Sequence, residues 1–230
     1  IFLKSFDVYE YTDLDKTLLD IKADIFYVLK SGEQDNIIST KIFNSIHCIF
    51  QCTHEFKHGD SYGCISENIN NCGSFVVPHI CHSLPLSTEK LSLENFRYVF
   101  GCYGGFESFD LEIVHNTIKK VVENSTDIIF IFMNIKPFID HPLVKFYEKT
   151  TSLLEKSKFV NSCDAMIHAR SIGESFGMAI SEFTTLQKPI ITWAHKGSPN
   201  SNEDLHHINV LGDTGIYYED EEDLYNIFIN

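Results

Sequence analysis

"CDAMIHARSIGESFGMAISEFTTLQKPIIT" occupies residues 163–192, and its reading sets the rest of the chain in order. "DAMIHA" (164–169) is a short apolar run of strand character, "ESFGMAISEFTTLQK" (174–188) has the make-up of a helix, and "PIITWAH" (189–195) returns to strand. Glu174 and Glu182 stand at the first and ninth positions of that helix. At 1.5 Å per residue the spacing separates the two carboxylates by about 12 Å along the axis. That is on the order of the distance between the hexose and the ribose of a nucleotide sugar. With Glu174 at the helix opening, the free N–H groups of Ser175, Phe176, Gly177 and Met178 point outward, backed by about half a positive charge. A phosphate fits such a helix end, and Gly177 lets a ligand approach the backbone closely. A plainer reading stands beside this one: Glu174 merely favours the helix dipole, and Glu182 is a solvated helix residue.

Outward from this stretch, strands and helices alternate. "FRYVFGC" (96–102) and the continuous apolar run "DIIFIFMN" (127–134) read as strands, the second covered on both faces. "SFDLEIVHNTIKKVVEN" (108–124) carries apolar residues at helical spacing, and "HPLVKFYEKTTSLLEKS" (141–157) is expected to be helical. "GIYYED" (215–220) and "EEDLYNIFI" (221–229) close the series as strand and helix. Such alternation predicts a doubly wound α/β domain with its ligand site beyond the carboxyl ends of the strands. "HSLPLSTEKLS" (82–92) is the best linker, giving domains over 1–88 and 89–230. The earlier part holds "ADIFYVLKSG" (23–32), "SIHCIFQC" (45–52) and "SFVVPHI" (74–80) as strand-like pieces, and no internal repeat is present.

The bulk composition excludes several functions. Of 230 residues, 43% are hydrophobic and 22% charged, enough to bury a core. No apolar run reaches the length of a membrane span. The start lacks a signal peptide, and, lacking a Met as well, leads us to expect that the protein begins earlier. Seven cysteines, an odd number, lie mostly in apolar runs, which suits reduced thiols and a cytoplasmic setting. Cys48, Cys52 and His54, or His79, Cys81 and His82, lack a second half at zinc-finger spacing, so no metal site is expected. "DLD" (13–15) has no matching strand context for a metal. A net charge of −14 without a basic stripe argues against nucleic acid. Arg97 and Arg170 are the only arginines among 18 basic residues. Arg170, four positions before Glu174, either grips an anion bidentately or forms a surface ion pair.

The stretch 163–192 resembles the E-x7-E region of retaining glycosyltransferases of the GT-B fold, especially glycosyltransferase family four. Glu174, Phe176, Gly177, Glu182, Lys188 and Pro189 match that pattern position by position. "YVFGCYGGFESF" (98–109) is placed like the glycine-rich loop that opens that family's second domain, and "GDTGIYYEDEEDL" (212–224) like the region where it ends. The likeness covers about residues 90–230 well and the earlier part loosely.

The resemblance implies an α/β fold of GT-B type, with two Rossmann-like domains of which the first is short or truncated. The first domain serves the acceptor and the second the nucleotide-sugar donor. It implies transfer of a hexose from a nucleoside diphosphate sugar, with retention of configuration and without metal or cofactor. The acceptor, whether sugar, lipid or protein, is open. Glu174 would take sugar hydroxyls and Glu182 ribose hydroxyls, with Gly104, Gly105 and the Ser175–Met178 run around the diphosphate. The family's Arg and Lys near the glycine loop are missing from "GCYGGFESF", so Arg170, Lys196 or Lys136 would neutralise the phosphates. The glycines of that loop serve equally well as a simple tight turn. His47 resembles a strand-end histidine that faces the donor sugar from the opposite domain, or it is a buried core histidine. "HGD" (58–60) binds acceptor or is a plain turn. Two other functions stay open: a nucleotide-sugar epimerase on the same fold, and a non-catalytic nucleotide-sugar binding protein.

Overall fold

The computed structural model describes residues 6–81, 83–93, 95–194 and 204–230. Two compact units divide at His79/Ile80, ahead of the 88/89 boundary expected from the linker. The reason is local. Pro85 O accepts from Ser157 Oγ at 2.6 Å and Ser87 O from Asn161 Nδ2 at 2.6 Å, while Leu84 joins the core of the second unit. The proline- and serine-rich stretch is thus bound to the surface of that unit.

The first unit contains helix α1 (Leu14–Asp20) and strands β1 (Ile25–Lys30), β2 (Phe43–Cys48), β3 (Cys52–Thr53), β4 (Ser61–Cys64), β5 (Asn70–Asn71) and β6 (Phe75–Val76). Four of them form a parallel sheet in the order β1-β2-β4-β6, and β3 pairs with β5. The "DLD" carboxylates serve the chain itself: Asp13 caps α1 by accepting from Lys16 N at 3.0 Å, and Asp15 accepts from Ser39 Oγ and Thr40 Oγ1.

The second unit runs β7 (Tyr98–Tyr103), α2 (Glu112–Asn124), β8 (Ile128–Met133), β9 (Val144–Tyr147), α3 (Leu153–Ser162), β10 (Ala165–His168), β11 (Gly173–Glu174), α4 (Met178–Thr185), β12 (Ile190–Trp193), β13 (Asp204–Leu205), α5 (His206–Leu211), β14 (Ile216–Tyr218) and α6 (Glu221–Ile229). Its six-stranded parallel sheet has the order β14-β12-β10-β7-β8-β9. Taken in chain order, this is the doubly wound arrangement in which the chain reverses direction across the sheet between β7 and β10. Every residue of β8 is buried, as befits a parallel strand covered on both faces. Helix α2 buries Val114, Thr117, Ile118, Val121 and Val122, one stripe at helical spacing. Phe228 of α6 packs its ring 4.9 Å from Phe100 and 5.1 Å from Phe130, which ties the chain's last helix to the centre of the sheet.

Two expectations are corrected. Residues 141–157 are not one helix: they form β9, then α3 from Leu153. Pro142 lacks a backbone donor, and Thr150 and Thr151 are stiff β-branched residues. Ser152 then caps α3 by accepting from Glu155 N at 3.3 Å. Glu174 also does not open its helix. Gly173 and Glu174 pair with Asp204 and Leu205 as a short parallel bridge. The helix starts at Met178, after Gly177 turns the chain at a left-handed φ of 84°. The helical rise therefore does not set the separation of the two glutamates.

Candidate active site

The carboxyl ends of β7 and β10 meet where the strand order reverses, and two adjoining cavities open there. One, of about 240 Å³, is lined by Gly104, Gly105, His168, Arg170, Glu174 and the first turn of α4. The other, of about 340 Å³, is lined by Asn134, Lys149, Lys156 and Glu182. Tyr103, Gly104, Met178 and Ala179 border both. The sheet fixes this place: in open α/β sheets the crevice outside the strand ends at the reversal is where ligands bind.

In the first cavity the carboxylate of Glu174 is flanked on two sides. Arg170 Nη1 donates to Oε2 at 3.0 Å, and His168 Nε2 lies 3.5 Å from Oε1. His168 is buried at the end of β10, with its Nδ1 2.9 Å from Thr192 Oγ1 and its carbonyl accepting from Tyr218 OH at 3.0 Å. The loop between His168 and Glu174 is pinned by Asp110, whose carboxylate accepts from Ser171 N and Ser171 Oγ, both at 2.7 Å. Glu174 thus stands on a braced loop rather than on a helix.

The first turn of α4 faces the same cavity. Met178, Ala179 and Ile180 line it, and the first helical bond inside α4 runs from Ser181 N to Gly177 O at 2.9 Å. The three preceding N–H groups have no carbonyl within the helix, which makes this end an anion seat. No acidic residue occupies that turn.

In the second cavity Glu182 is buried, and its Oε2 accepts from Tyr103 OH and faces Lys156 Nζ at 3.5 Å. Burial first, and the bond to Glu182 second, push the Tyr103 hydroxyl well above its ordinary value, so it stays a donor. Asn134 ends β8 at a left-handed φ of 56° and donates from Nδ2 to Gly104 O at 2.6 Å, fixing the glycine loop. A Cβ on Gly104 would stand 2.7 Å from Ser108 Oγ, which would have to move aside.

Of the residues expected from sequence, Glu174, Arg170, Met178, Gly104 and Gly105 line the first cavity and Glu182 the second. Ser175 and Phe176 line neither. Ser175 is buried, and Phe176 stacks on His206 at 5.8 Å between ring centres. Gly177 acts as the turn that starts α4. Lys136 is exposed and faces Glu107 at 3.9 Å, outside both cavities. Lys196 lies outside the described residues.

His47 belongs to the first unit, at the carboxyl end of β2, where it is buried with Tyr27 OH on its Nδ1. Burial lowers its pKa, His79 nearby lowers it further, and the backbone of Val77 opposes them. The "HGD" turn is tied to the sheet: His58 Nε2 lies 3.1 Å from Lys30 Nζ, and Asp60 accepts from Asn44 N at 2.7 Å.

Sequence reasoning missed His168, Tyr103, Lys156 and Asn134. His168 carried a usable signal, as the last residue of a strand that feeds the Glu174 loop. Tyr103 and Lys156 carried none, because sheet order and helix packing bring them to Glu182.

No family model matches the sequence, and no curated protein matches it. Among solved structures, the chain is similar to TarM with a TM-score of 0.61 at 10% identity, over 93% of this chain and 49% of TarM. It is also similar to Anabaena HepE, determined in complex with UDP and glucose, with a TM-score of 0.46 at 16% identity, over 60% of this chain and 39% of that one. The chain thus spans about half the length of TarM. With its two parallel sheets, this likeness gives the protein a GT-B-like α/β fold.

Proposed function

We propose that the protein is a retaining glycosyltransferase, moving a hexose from a nucleoside diphosphate sugar to an acceptor. One observation carries the reading: two carboxylates, Glu174 and Glu182, line adjoining cavities at the sheet reversal, with the bare N-terminal turn of α4 bordering both. The GT-B-like fold supports it.

The arrangement suits the chemistry. Glu174 receives sugar hydroxyls in the smaller cavity, Glu182 receives ribose hydroxyls in the larger, and the diphosphate lies between them on the N–H groups of Met178, Ala179 and Ile180. The bond from C1 to the phosphate oxygen breaks, and its electrons pass to the diphosphate. The acceptor oxygen bonds to C1 on the same face and gives its proton to the departing phosphate. Helix N–H groups and the Arg170 guanidinium stabilise the charge that grows there, so no metal ion is required. Arg170 pairs with Glu174 and would share itself with the phosphate of a bound donor. Lys196 is the second candidate for that role.

The first unit is proposed to serve the acceptor. Free thiols at Cys48, Cys52, Cys64, Cys72, Cys102 and Cys163 support a cytosol-like setting. Among the described residues no helix is long and apolar enough to cross a membrane.

The test incubates the protein with UDP-, GDP- and ADP-sugars and follows donor hydrolysis and sugar transfer to trial acceptors. Slow hydrolysis of one donor, or transfer with retained anomeric configuration, is expected. Conversion of the donor sugar to its epimer without acceptor would assign the epimerase. Binding without any turnover would assign a binding protein.

A further inference from the structure

The carboxylate of Glu182 is used unevenly. Its contacts with Tyr103 OH and Lys156 Nζ both fall on Oε2. The Tyr103 ring is locked by Phe183 and Phe159, at 5.5 and 6.0 Å between ring centres. This packing holds the hydroxyl against Oε2. A ribose offers two neighbouring hydroxyls, and with Oε2 committed Glu182 has one oxygen left to meet them. Lys156 fills the gap. It projects from α3 into the larger cavity, its side chain is 26% exposed, and its Nζ sits 5.1 Å from the centre of the Tyr103 ring. An ammonium carries three N–H donors, and Glu182 occupies one.

We propose that Lys156 is a specificity-determining residue for the donor's ribose, donating to the oxygen of one ring hydroxyl while Glu182 Oε1 accepts from the other. The inference rests on the nucleotide-sugar reading above and adds a residue to it. The diol site becomes a lysine–glutamate pair rather than a carboxylate alone, with Tyr103 as a positioning residue that holds Glu182 in place. The ring hydroxyls are then read separately, one by each partner.

That separation gives the test. Affinities of UDP, GDP and ADP are measured by calorimetry on the whole protein, and the tightest binder is compared with its 2′-deoxy and 3′-deoxy forms. Wild type should lose about tenfold or more for each missing hydroxyl, the scale of a hydrogen bond to a charged group. In Lys156→Met one of the two penalties should collapse to near unity while the other persists, and Lys156→Arg should restore part of it. Thermal melting of Lys156→Met within a few degrees of wild type confirms that the fold is kept. Both deoxy penalties surviving unchanged in Lys156→Met would overturn the role of Lys156 and leave the donor reading standing. Failure of every nucleoside diphosphate to bind wild type would remove the donor reading itself, and this inference with it.

Discussion

Arg170 Nη1 lies 3.0 Å from Glu174 Oε2, four residues along a loop that Asp110 pins at Ser171. Both side chains are about a quarter exposed, at 25% and 21%. A partly exposed pair of this kind contributes on the order of 1 kcal/mol to stability. Its placement at a cavity beside a bare helix turn is the basis of the binding role proposed for it. Arg170→Ala is expected to lower donor affinity and turnover together, and Arg170→Lys to rescue only partly, because the planar fork is lost. Calorimetry with the nucleoside diphosphate decides this: an unchanged dissociation constant in Arg170→Ala would move the phosphate site elsewhere.

The two glutamates should fail differently. Glu182→Ala removes the proposed ribose acceptor and strands the buried Tyr103 hydroxyl, so donor binding should weaken, with a stability loss of about 1–3 kcal/mol. Glu174→Ala should depress turnover more than binding, because the sugar loses its orientation. Separate kcat and KM values for each variant check the split. Wild-type binding and turnover in both would end the reading.

Gly177 holds the turn that starts α4 at φ 84°, and a Cβ there would meet Ile180 Cδ1 at 3.3 Å. Gly177→Ala is expected to destabilise the second unit by about 1 kcal/mol or more. It should also weaken binding of inorganic phosphate or a nucleoside diphosphate by disturbing the N–H groups that follow. Denaturant midpoints together with phosphate titration test both effects.

Much of the second unit was legible in the sequence. The five runs read as strands there each contain a strand of the six-stranded sheet, because apolar runs bounded by turns fix a parallel sheet covered on both faces; β9 was missed. "HPLVKFYEKTTSLLEKS" misled because Phe146, Tyr147, Leu153 and Leu154 also satisfy a helical spacing, and only neighbouring β8 decides that Val144–Tyr147 is a strand. The start of α4 was misplaced for a related reason. Glu174 is a good first-turn residue by charge, yet Gly173 and Gly177 both adopt positive φ, which breaks the helix before it starts. Glu174 and Glu182 could be named from their spacing. Their partners Tyr103, Lys156 and His168 depend on which strand ends meet, and that is set by topology.

Acid should destabilise the protein before its carboxylates titrate. Burial holds His47, His79 and His206 below the ordinary histidine value of 6.5. The unfolded chain therefore takes up protons that the folded one refuses. The stability tied to these groups is present above about 6.5 and is lost as pH falls from there through the folded values. Melting temperatures between pH 7.5 and 5.5 should decline, and His79→Gln should flatten the decline. A melting temperature that rises over this window would contradict it.

Activity should survive chelation. The leaving diphosphate is assigned to helix N–H groups and to Arg170, so EDTA is expected to leave the rate of donor turnover within about twofold. Complete loss, restored by Mg²⁺ or Mn²⁺, would assign the charge stabilisation to a metal.

The central claim is that the adjoining cavities bind one nucleoside diphosphate sugar through Glu174 and Glu182. Its most direct test is calorimetric titration of UDP-, GDP- and ADP-sugars into wild type and into the double variant Glu174→Ala/Glu182→Ala. Saturable one-to-one binding of at least one donor to wild type is expected, weakened a hundredfold or more in the double variant, on the scale of two lost charged hydrogen bonds at about 1.5–3 kcal/mol each. No binding to wild type, or equal affinity in both proteins, would contradict it.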